Sequence, residues 1–447
     1  MKKRRAVMAA VAVVCAGVIA VGLSGCEWFS FDGKRKAPES VSSNLGYYGS
    51  DTAAWLTSES KSPLELRHDE YVAAIEAGWF TEQELSFVDY LKTMKEDSAS
   101  LSSSLRSSVL IQTTSSAGSG VIYSISDEAN ADGSKNAYVI TNSHVVSGSN
   151  DVYTSLYGDQ YDMHNILSTA LRATKVGSSN KEDIAVLSVK IPQDRLDFVL
   201  PVSGAVGTRD SDDARVGETV YAIGNPLGYG MSVLSGTIGM EIDDSSATKD
   251  FSQLSMRIDA PVTHGNSGGG LFDRDGKLLG IVYGGLEQKV MDSNGNETTV
   301  SLTGFGFAIP ANRALSVAQC IVDNYENPES TATKGTATYG LLGTLEVQSS
   351  RGEFNSLTNT VDIIEEVAIK SVNSKSPFTG EVKGKILKSI VVRHNNTKTV
   401  DLEIKRLHQV ETVLYNIRKG DTVTLHFADG SSASATYDDL GNFSIKT

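Results

Sequence analysis

Three cysteines are too few to staple a chain of 447 residues. Cys15 lies in an apolar N-terminal stretch and Cys26 closes it, so once that stretch is processed only Cys320 is left as a thiol. No intrachain disulfide is then possible, and stability has to come from packed cores. Cys320 sits in the apolar helical pattern Ala314–Val322, the setting of a small buried hydrophobe rather than a reactive thiol. No spacing of Cys and His suits a metal, and no cofactor is expected. Positive charge is also short: 40 Lys and Arg stand against 54 Asp and Glu, for a net charge of −14. Such a surface argues against nucleic acid, or an anionic bilayer, as a direct partner.

The chain begins with the basic run Lys2-Lys3-Arg4-Arg5, an uncharged stretch from Ala6 to Leu23, and then Leu23-Ser24-Gly25-Cys26. That ending resembles a bacterial lipobox, with small residues before a cysteine that is lipidated and becomes the first residue. The alternative is an uncleaved signal anchor, since about eighteen apolar residues can just span a bilayer. Either way the protein is tethered to a membrane and faces away from the cytoplasm, in the cell envelope. With Lys2–Arg5 gone, the net charge of the remainder is −18.

The run Gly265-Asn266-Ser267-Gly268-Gly269 is a good place for a nucleophile. Its glycines allow positive φ and close approach to a substrate. The Gly265 and Ser267 N–H groups can then converge on the oxygen of an attacked carbonyl. Upstream, Tyr138–Val146 reads as a buried strand ending in His144, and Lys181–Leu187 places Asp183 at the start of another apolar strand. Base, orienter and nucleophile thus come in the chain order His, Asp, Ser. Asp151, Asp159 and Asp162 are other candidates to orient the histidine, but none opens a strand as Asp183 does. A Gly-x-Ser-x-Gly elbow would need a helix after the serine. The chain instead reads as strand, Asp-Gly turn and strand over Leu271–Tyr283.

These residues resemble the trypsin-like serine proteases of the HtrA family. The resemblance is carried by Thr-Asn-Ser-His-Val-Val at 141–146, Asp-Ile-Ala-Val-Leu at 183–187, Gly-Asn-Pro-Leu-Gly at 224–228, Gly-Asn-Ser-Gly-Gly at 265–269 and Gly-Phe-Ala-Ile-Pro at 306–310. It implies a mainly β fold, a chymotrypsin/trypsin-like pair of six-stranded barrels with the triad between them. Ser267 would attack the peptide carbonyl, His144 would carry its proton, and Asp183 would hold the imidazole tautomer. The chain departs from the family at Thr263-His264 and at Gly270, where the family has Asn-Pro and proline. Asn266 stands where digestive proteases carry an acid that pairs with a new amino terminus, so activation by that salt bridge is unavailable. Pro261 occupies the pocket-base position that is acidic in proteases cutting after basic residues, which favours small or aliphatic residues before the cut. By the same resemblance, Phe305 and Phe307 lie near the pocket, and Ile281–Gly285, with Tyr283, Gly284 and Gly285 in the lead, offers an edge on which substrate adds as a strand.

Composition divides the chain further. Residues 1–25 read as the signal peptide and 26–62 as a linker. Residues 63–98 read as a short helical segment, with Ser62 and Pro63 opening one helix and a Thr81–Glu84 capping box the next. Residues 99–326 form the protease domain, 327–335 a second linker, and 336–447 a domain resembling the PDZ peptide-binding α+β fold. In it Leu341-Leu342-Gly343-Thr344 resembles the carboxylate-binding loop, with Leu342 and Gly343 receiving a peptide C-terminus, and Ile404–Ile417 reads as the groove helix. Leu341 and Lys385 replace the usual tyrosine and aspartate, and the domain's alternative role is to hold an assembly together. The expected protein is an endopeptidase acting on unfolded or presented envelope proteins, as a homotrimer or larger oligomer. The alternative is a tethered chaperone or peptide-binding protein with an idle site.

Overall fold

The computed structural model describes residues 101–437 apart from 160–168, 229, 244–253, 292–296, 327–342, 357–359, 373–375, 377 and 379, together with a few positions between 71 and 86. The lipobox cysteine Cys26, both linkers and Leu342 lie outside the described residues. The chain divides into two units, Met1–Glu96 and Asp97–Thr447.

In the first unit, residues 71–73 and 75–76 are helical and Tyr71 is buried. The Thr81 N–H donates to Glu84 Oε2 at 2.8 Å, and the Glu84 N–H donates to Thr81 Oγ1 at 3.3 Å. This is the reciprocal pair expected of a capping box.

The second unit opens with a closed antiparallel barrel of β1 (Ser108–Thr113), β2 (Ala117–Ile125), β3 (Lys135–Thr141), β4 (Val152–Leu156), β5 (Leu171–Ser179) and β6 (Ile184–Ile191). A second barrel follows, from β7 (Thr219–Gly224), β8 (Ser232–Asp243), β9 (Ser255–Ile258), β10 (Gly270–Phe272), β11 (Leu278–Met291) and β12 (Glu297–Pro310). The strands that join the two barrels are apolar without interruption because both of their faces are buried. In β2, Ile122 enters the first barrel while Val121 faces outward to the other barrel; Val139 and Ile140 in β3, and Leu187 and Val186 in β6, divide in the same way. In the second barrel Leu271, Leu279 and Val282 face in, whereas Phe272, Leu278 and Ile281 join Val121, Ile140 and Val186 in a shared layer. Helix α1 (Ala311–Glu326) closes that layer with Ala314, Val317, Cys320 and Ile321.

The Asp-Gly turn between β10 and β11 is as read from the sequence. Asp273 Oδ1 accepts from the N–H groups of Asp275 and Lys277 at 3.0 and 2.9 Å, and Gly276 takes φ of 75°. No helix follows Ser267, which removes the elbow geometry.

The C-terminal part comprises a long hairpin, β13 (Gly343–Asn355) and β14 (Thr360–Val372), and a four-stranded antiparallel sheet. The sheet contains β15 (Leu387–His394), β16 (Thr397–Glu403), β17 (Thr422–Phe427) and β18 (Ser432–Thr436) in the order β16-β15-β17-β18. Its single α-helix among the described residues, α2, covers Leu407–Leu414 rather than the expected Ile404–Ile417. Ile404 is buried as a strand-end residue whose N–H donates to Lys388 O at 2.8 Å, and Arg406 is the helix N-cap. Beyond Leu414 the chain tightens, with Tyr415, Asn416 and Ile417 N–H groups reaching back to Thr412, Val413 and Leu414 carbonyls. Apolar residues at helical spacing thus came from three different local structures that share one core.

Charges dominate the contact between α2 and the barrels. Arg313 on α1, 2% exposed, donates to Glu182 Oε2 at 2.9 Å, Thr412 Oγ1 at 3.0 Å, His408 O at 3.1 Å and Glu411 Oε2 at 3.1 Å. Burial opposes charge on this guanidinium, but the Glu182 and Glu411 carboxylates outweigh it and raise its pKa above the arginine norm. Around this centre, Gln409 donates to Asp212 at 2.8 Å and Arg418 to Asp323 at 2.6 Å. Arg313→Ala would strand the Glu182 carboxylate in the interior, so we expect a loss of about 3–5 kcal/mol in chemical denaturation of the full chain. Arg172→Ala breaks only the exposed pair with Asp151, and should cost less than about 1 kcal/mol in the same measurement.

Candidate active site

Two strand ends of the first barrel supply the histidine and the aspartate. His144 begins a short 3-10 turn, His144–Val146, directly after β3, and the buried Val145 and Val146 fix that turn to the barrel. The ring itself stays open to solvent, with a side chain 51% exposed. Asp183 precedes β6 and takes φ of 49°. That left-handed backbone is uncommon outside glycine, and Asp tolerates it better than most residues. The conformation is held by its own carbonyl, which accepts from Asn142 Nδ2 at 2.9 Å and from the Ser143 N–H at 3.2 Å.

Both oxygens of the Asp183 carboxylate are spent on one residue. Oδ2 lies 2.8 Å from His144 Nδ1, and Oδ1 accepts from the His144 N–H at 3.0 Å. The ring and the backbone beneath it are therefore gripped together, which fixes imidazole orientation as well as its distance. With a carboxylate on Nδ1, the proton resides there and Nε2 is the nitrogen that can accept another. The competing aspartates are engaged elsewhere: Asp151 pairs with Arg172, and Asp159 with Arg195 and the Leu156 N–H. Asp162 lies outside the described residues.

The serine loop rests on the first barrel as well as the second. Ser119 on β2 is 1% exposed; its N–H donates to Ser267 O at 2.9 Å and its hydroxyl donates to Gly265 O at 2.7 Å. The same hydroxyl accepts from the Asn225 N–H at 2.9 Å, and the Leu227 N–H donates to His264 O at 2.7 Å. The carbonyls of residues 264, 265 and 267 are thus occupied, while the N–H groups of Gly265 and Ser267 have no acceptor among the described residues. Those two donors remain available to an incoming oxygen. Ser119 had escaped the sequence reading; its only signal was a serine between Gly118 and Gly120 in an apolar strand.

Ser267 Oγ donates to Tyr283 O at 3.2 Å rather than to the imidazole. The serine nevertheless sits beside the histidine turn: a Cβ added at Gly118 would meet Val145 Cγ1 at 2.6 Å and Ser267 O at 3.1 Å. Asn266 is 2% exposed, and both of its side-chain polar atoms are unbonded among the described residues.

Tyr283, Gly284 and Gly285 continue β11 past the end of its β10 partner. On one side β12 pairs with the two glycines, Gly284 opposite Phe307 and Gly285 opposite Gly306, while Tyr283 falls at a register shift; on the other, β10 stops where Gly270 meets Ile281. Among the described residues, a length of strand edge next to Ser267 is left without a neighbouring strand. Phe307 packs on the Tyr283 ring with centroids 5.9 Å apart, whereas Phe305 is 40% exposed and lies 5.5 Å from the Arg257 guanidinium. Burial pushes the Tyr283 phenol up to about 12.

Comparison with known proteins adds to this geometry. Residues 118–281 match the trypsin-like peptidase domain family. The chain is 32% identical to the serine protease Do-like HtrA of Bacillus subtilis (strain 168) over 230 residues, covering 50% of this chain and 43% of that protein. It is 28% identical to the Lactococcus lactis subsp. cremoris (strain MG1363) protein of the same name over 333 residues, 72% of this chain and 70% of that one. The chain therefore spans less than half the length of the Bacillus relative. Among solved structures, the HtrA-type protease AlgW with tripeptide aligns at a TM-score of 0.45 and 24% identity, covering 76% of this chain and 96% of that one.

Two glycine substitutions separate the rigid part of this loop from the open edge. A Cβ at Gly265 would fall 2.0 Å from Asn225 O at φ of 95°, so Gly265→Ala should cost at least about 1–2 kcal/mol from backbone strain alone. Gly284 has nothing within 4 Å of an added Cβ, and Gly284→Ala should stay within about 0.5 kcal/mol. Urea denaturation of the two variants checks both values.

Proposed function

The chain carries a trypsin-like peptidase domain of the HtrA family, and from that premise we propose that it is an extracytoplasmic serine endopeptidase working through His144, Asp183 and Ser267. The observation that carries this reading is the two-point grip of Asp183 on His144, at 2.8 and 3.0 Å, beside a serine loop with two unused N–H donors.

The chemistry follows from those positions. A polypeptide segment adds along Tyr283–Gly285 as an extra strand, using backbone hydrogen bonds that any unfolded sequence can make. Its N–H groups compete for the Tyr283 carbonyl, which now holds Ser267 Oγ, and so release the hydroxyl toward His144. Ser267 attacks the peptide carbon as His144 Nε2 takes the proton, and Asp183 steadies the imidazolium that forms. Charge gathers on the carbonyl oxygen, where the Gly265 and Ser267 N–H groups receive it. His144 returns the proton to the leaving amine, and water then repeats the sequence on the acyl-enzyme.

Other parts of the reading rest on sequence. Residues 336–447 act as a PDZ-like domain that presents or senses peptide C-termini through Leu342 and Gly343, with α2 as the groove wall. Cys26 carries a lipid that tethers the enzyme to a bacterial membrane, in the periplasm or its equivalent. The substrates are unfolded or misfolded envelope proteins, and the active assembly is a homotrimer or larger.

Cleavage of an unfolded protein by the chain from Glu27 onward, compared with Ser267→Ala, tests the reading. Turnover should fall by about 1,000-fold or more when the nucleophile is removed. Cleavage that persists in Ser267→Ala overturns it. Binding of the unfolded protein without turnover by either chain would instead establish the tethered chaperone.

A further inference from the structure

The residue preceding Asp183 is as unusual as Asp183 itself. Glu182 is 2% exposed, an expensive place for a carboxylate unless every oxygen is engaged. Here each is: Oε2 accepts from Arg313 at 2.9 Å, and Oε1 accepts from the Tyr415 hydroxyl at 2.9 Å with Lys181 Nζ at 3.7 Å. Neither Arg313 nor Tyr415 belongs to the first barrel. Arg313 lies on α1, and its remaining donors run to Thr412, His408 and Glu411, all on α2. Tyr415, 1% exposed, follows α2 directly and belongs to the same buried apolar cluster as Ile184, Val186 and Val317.

Asp183 is held in its left-handed conformation from two directions. Its carbonyl is tied down by Asn142 and Ser143 on the His144 side. On the other side, the chain enters through Glu182, whose N–H donates to Ser179 Oγ at 3.3 Å and whose side chain is pinned as described. A tight φ of 49° relaxes if either flank is released. Because both Asp183 oxygens aim at His144, a small backbone rotation would misdirect them together.

Taking His144, Asp183 and Ser267 as the catalytic set, as read above, we propose that Glu182 is a positioning residue for Asp183, clamped by Arg313 and Tyr415, so that the C-terminal domain helps to set the geometry of the catalytic histidine. Docking of α2 and Tyr415 keeps water from the Glu182–Arg313 pair, and the pair in turn holds the turn that aims Asp183. The reacting atoms are untouched by this device; it acts only through where Asp183 stands.

The experiment compares the full chain with Glu182→Gln and Tyr415→Phe, measuring kcat and KM on an unfolded protein and the downfield NMR signal of the His144 Nδ1 proton. Misplacing a catalytic group by about 1 Å can cost on the order of 100-fold, so Glu182→Gln should lower kcat by about that factor with KM unchanged. Tyr415→Phe, which keeps the ring and removes only the hydroxyl, should lower kcat less and in the same direction. In both variants the Nδ1 signal should move or broaden. Wild-type kcat and an unmoved signal in both variants would overturn the proposal, even if their stability fell, since a purely structural role touches neither readout. If Glu182→Gln does not fold, Tyr415→Phe decides alone by the same two measures. Should the unaltered chain show no turnover, the protease reading fails on its own, and the Nδ1 signal still decides whether Glu182 orients the Asp183–His144 pair.

Discussion

The apolar layer between the two barrels is the constraint on which the site depends. Val121, Ile140 and Val186 from one barrel meet Phe272, Leu278 and Ile281 from the other, with α1 closing over them. Because alternate residues of the same strands fill the barrel interiors, neither barrel can slide without exposing one of its two buried faces. At about 25 cal/mol per Å² of apolar surface, even a small slip would be costly. The strand ends that emerge from this layer are those bearing His144, Asp183 and the 265–269 loop. Burial thus fixes the distances between residues that are far apart in sequence, and the exposed chemistry inherits a geometry it does not itself stabilise.

Polar contacts then refine what burial has brought together. Ser119 is the clearest case, because one residue of β2 reaches the serine loop from the opposite barrel twice, its hydroxyl donating to the Gly265 carbonyl and its N–H to the Ser267 carbonyl. The Gly265 and Ser267 N–H groups share their peptides with the His264 and Asn266 carbonyls, which accept from the Leu227 and Gly269 N–H groups, and a carbonyl that has a donor has no reason to flip. The glycines complete the arrangement: at Gly265 and Gly268 an added Cβ would meet Asn225 O and Ser119 O at 2.0 and 2.2 Å. Contact this close between backbone segments is possible only where no side chain intervenes.

Much of this was legible in the chain itself. Unbroken apolar runs such as Ile184–Leu187 marked strands buried on both sides, and the Asp-Gly turn at 275–276 distinguished a hairpin from a helix. The positions of the candidate residues were legible too: His144 lies at a strand end and Asp183 at the start of another apolar strand, as their local sequence implied. Partnerships across long separations were not. Nothing near Glu182 foretells Arg313, 131 positions away, or Tyr415, 233 away. The same limit shortened α2: Ile404 and Ile417 are as apolar as the helix residues between them, and periodicity records that they are buried without recording by which backbone.

The choice of charge over oil at the contact with α2 has a consequence that apolar packing would lack. A hydrophobic interface is non-directional and tolerates small rotations. An arginine whose donors reach four different residues does not, since each acceptor lost leaves a buried donor unpaired. Glu182 and Arg313 both belong to the barrel part of the chain, so their pair does not vanish when α2 is withdrawn; it becomes wet. A solvated ion pair is worth little and holds its members loosely, whereas the same pair under Tyr415 is confined by the cost of every alternative. The C-terminal domain therefore contributes less by adding a contact than by changing the medium in which an existing contact operates, one residue away from the carboxylate that orients His144.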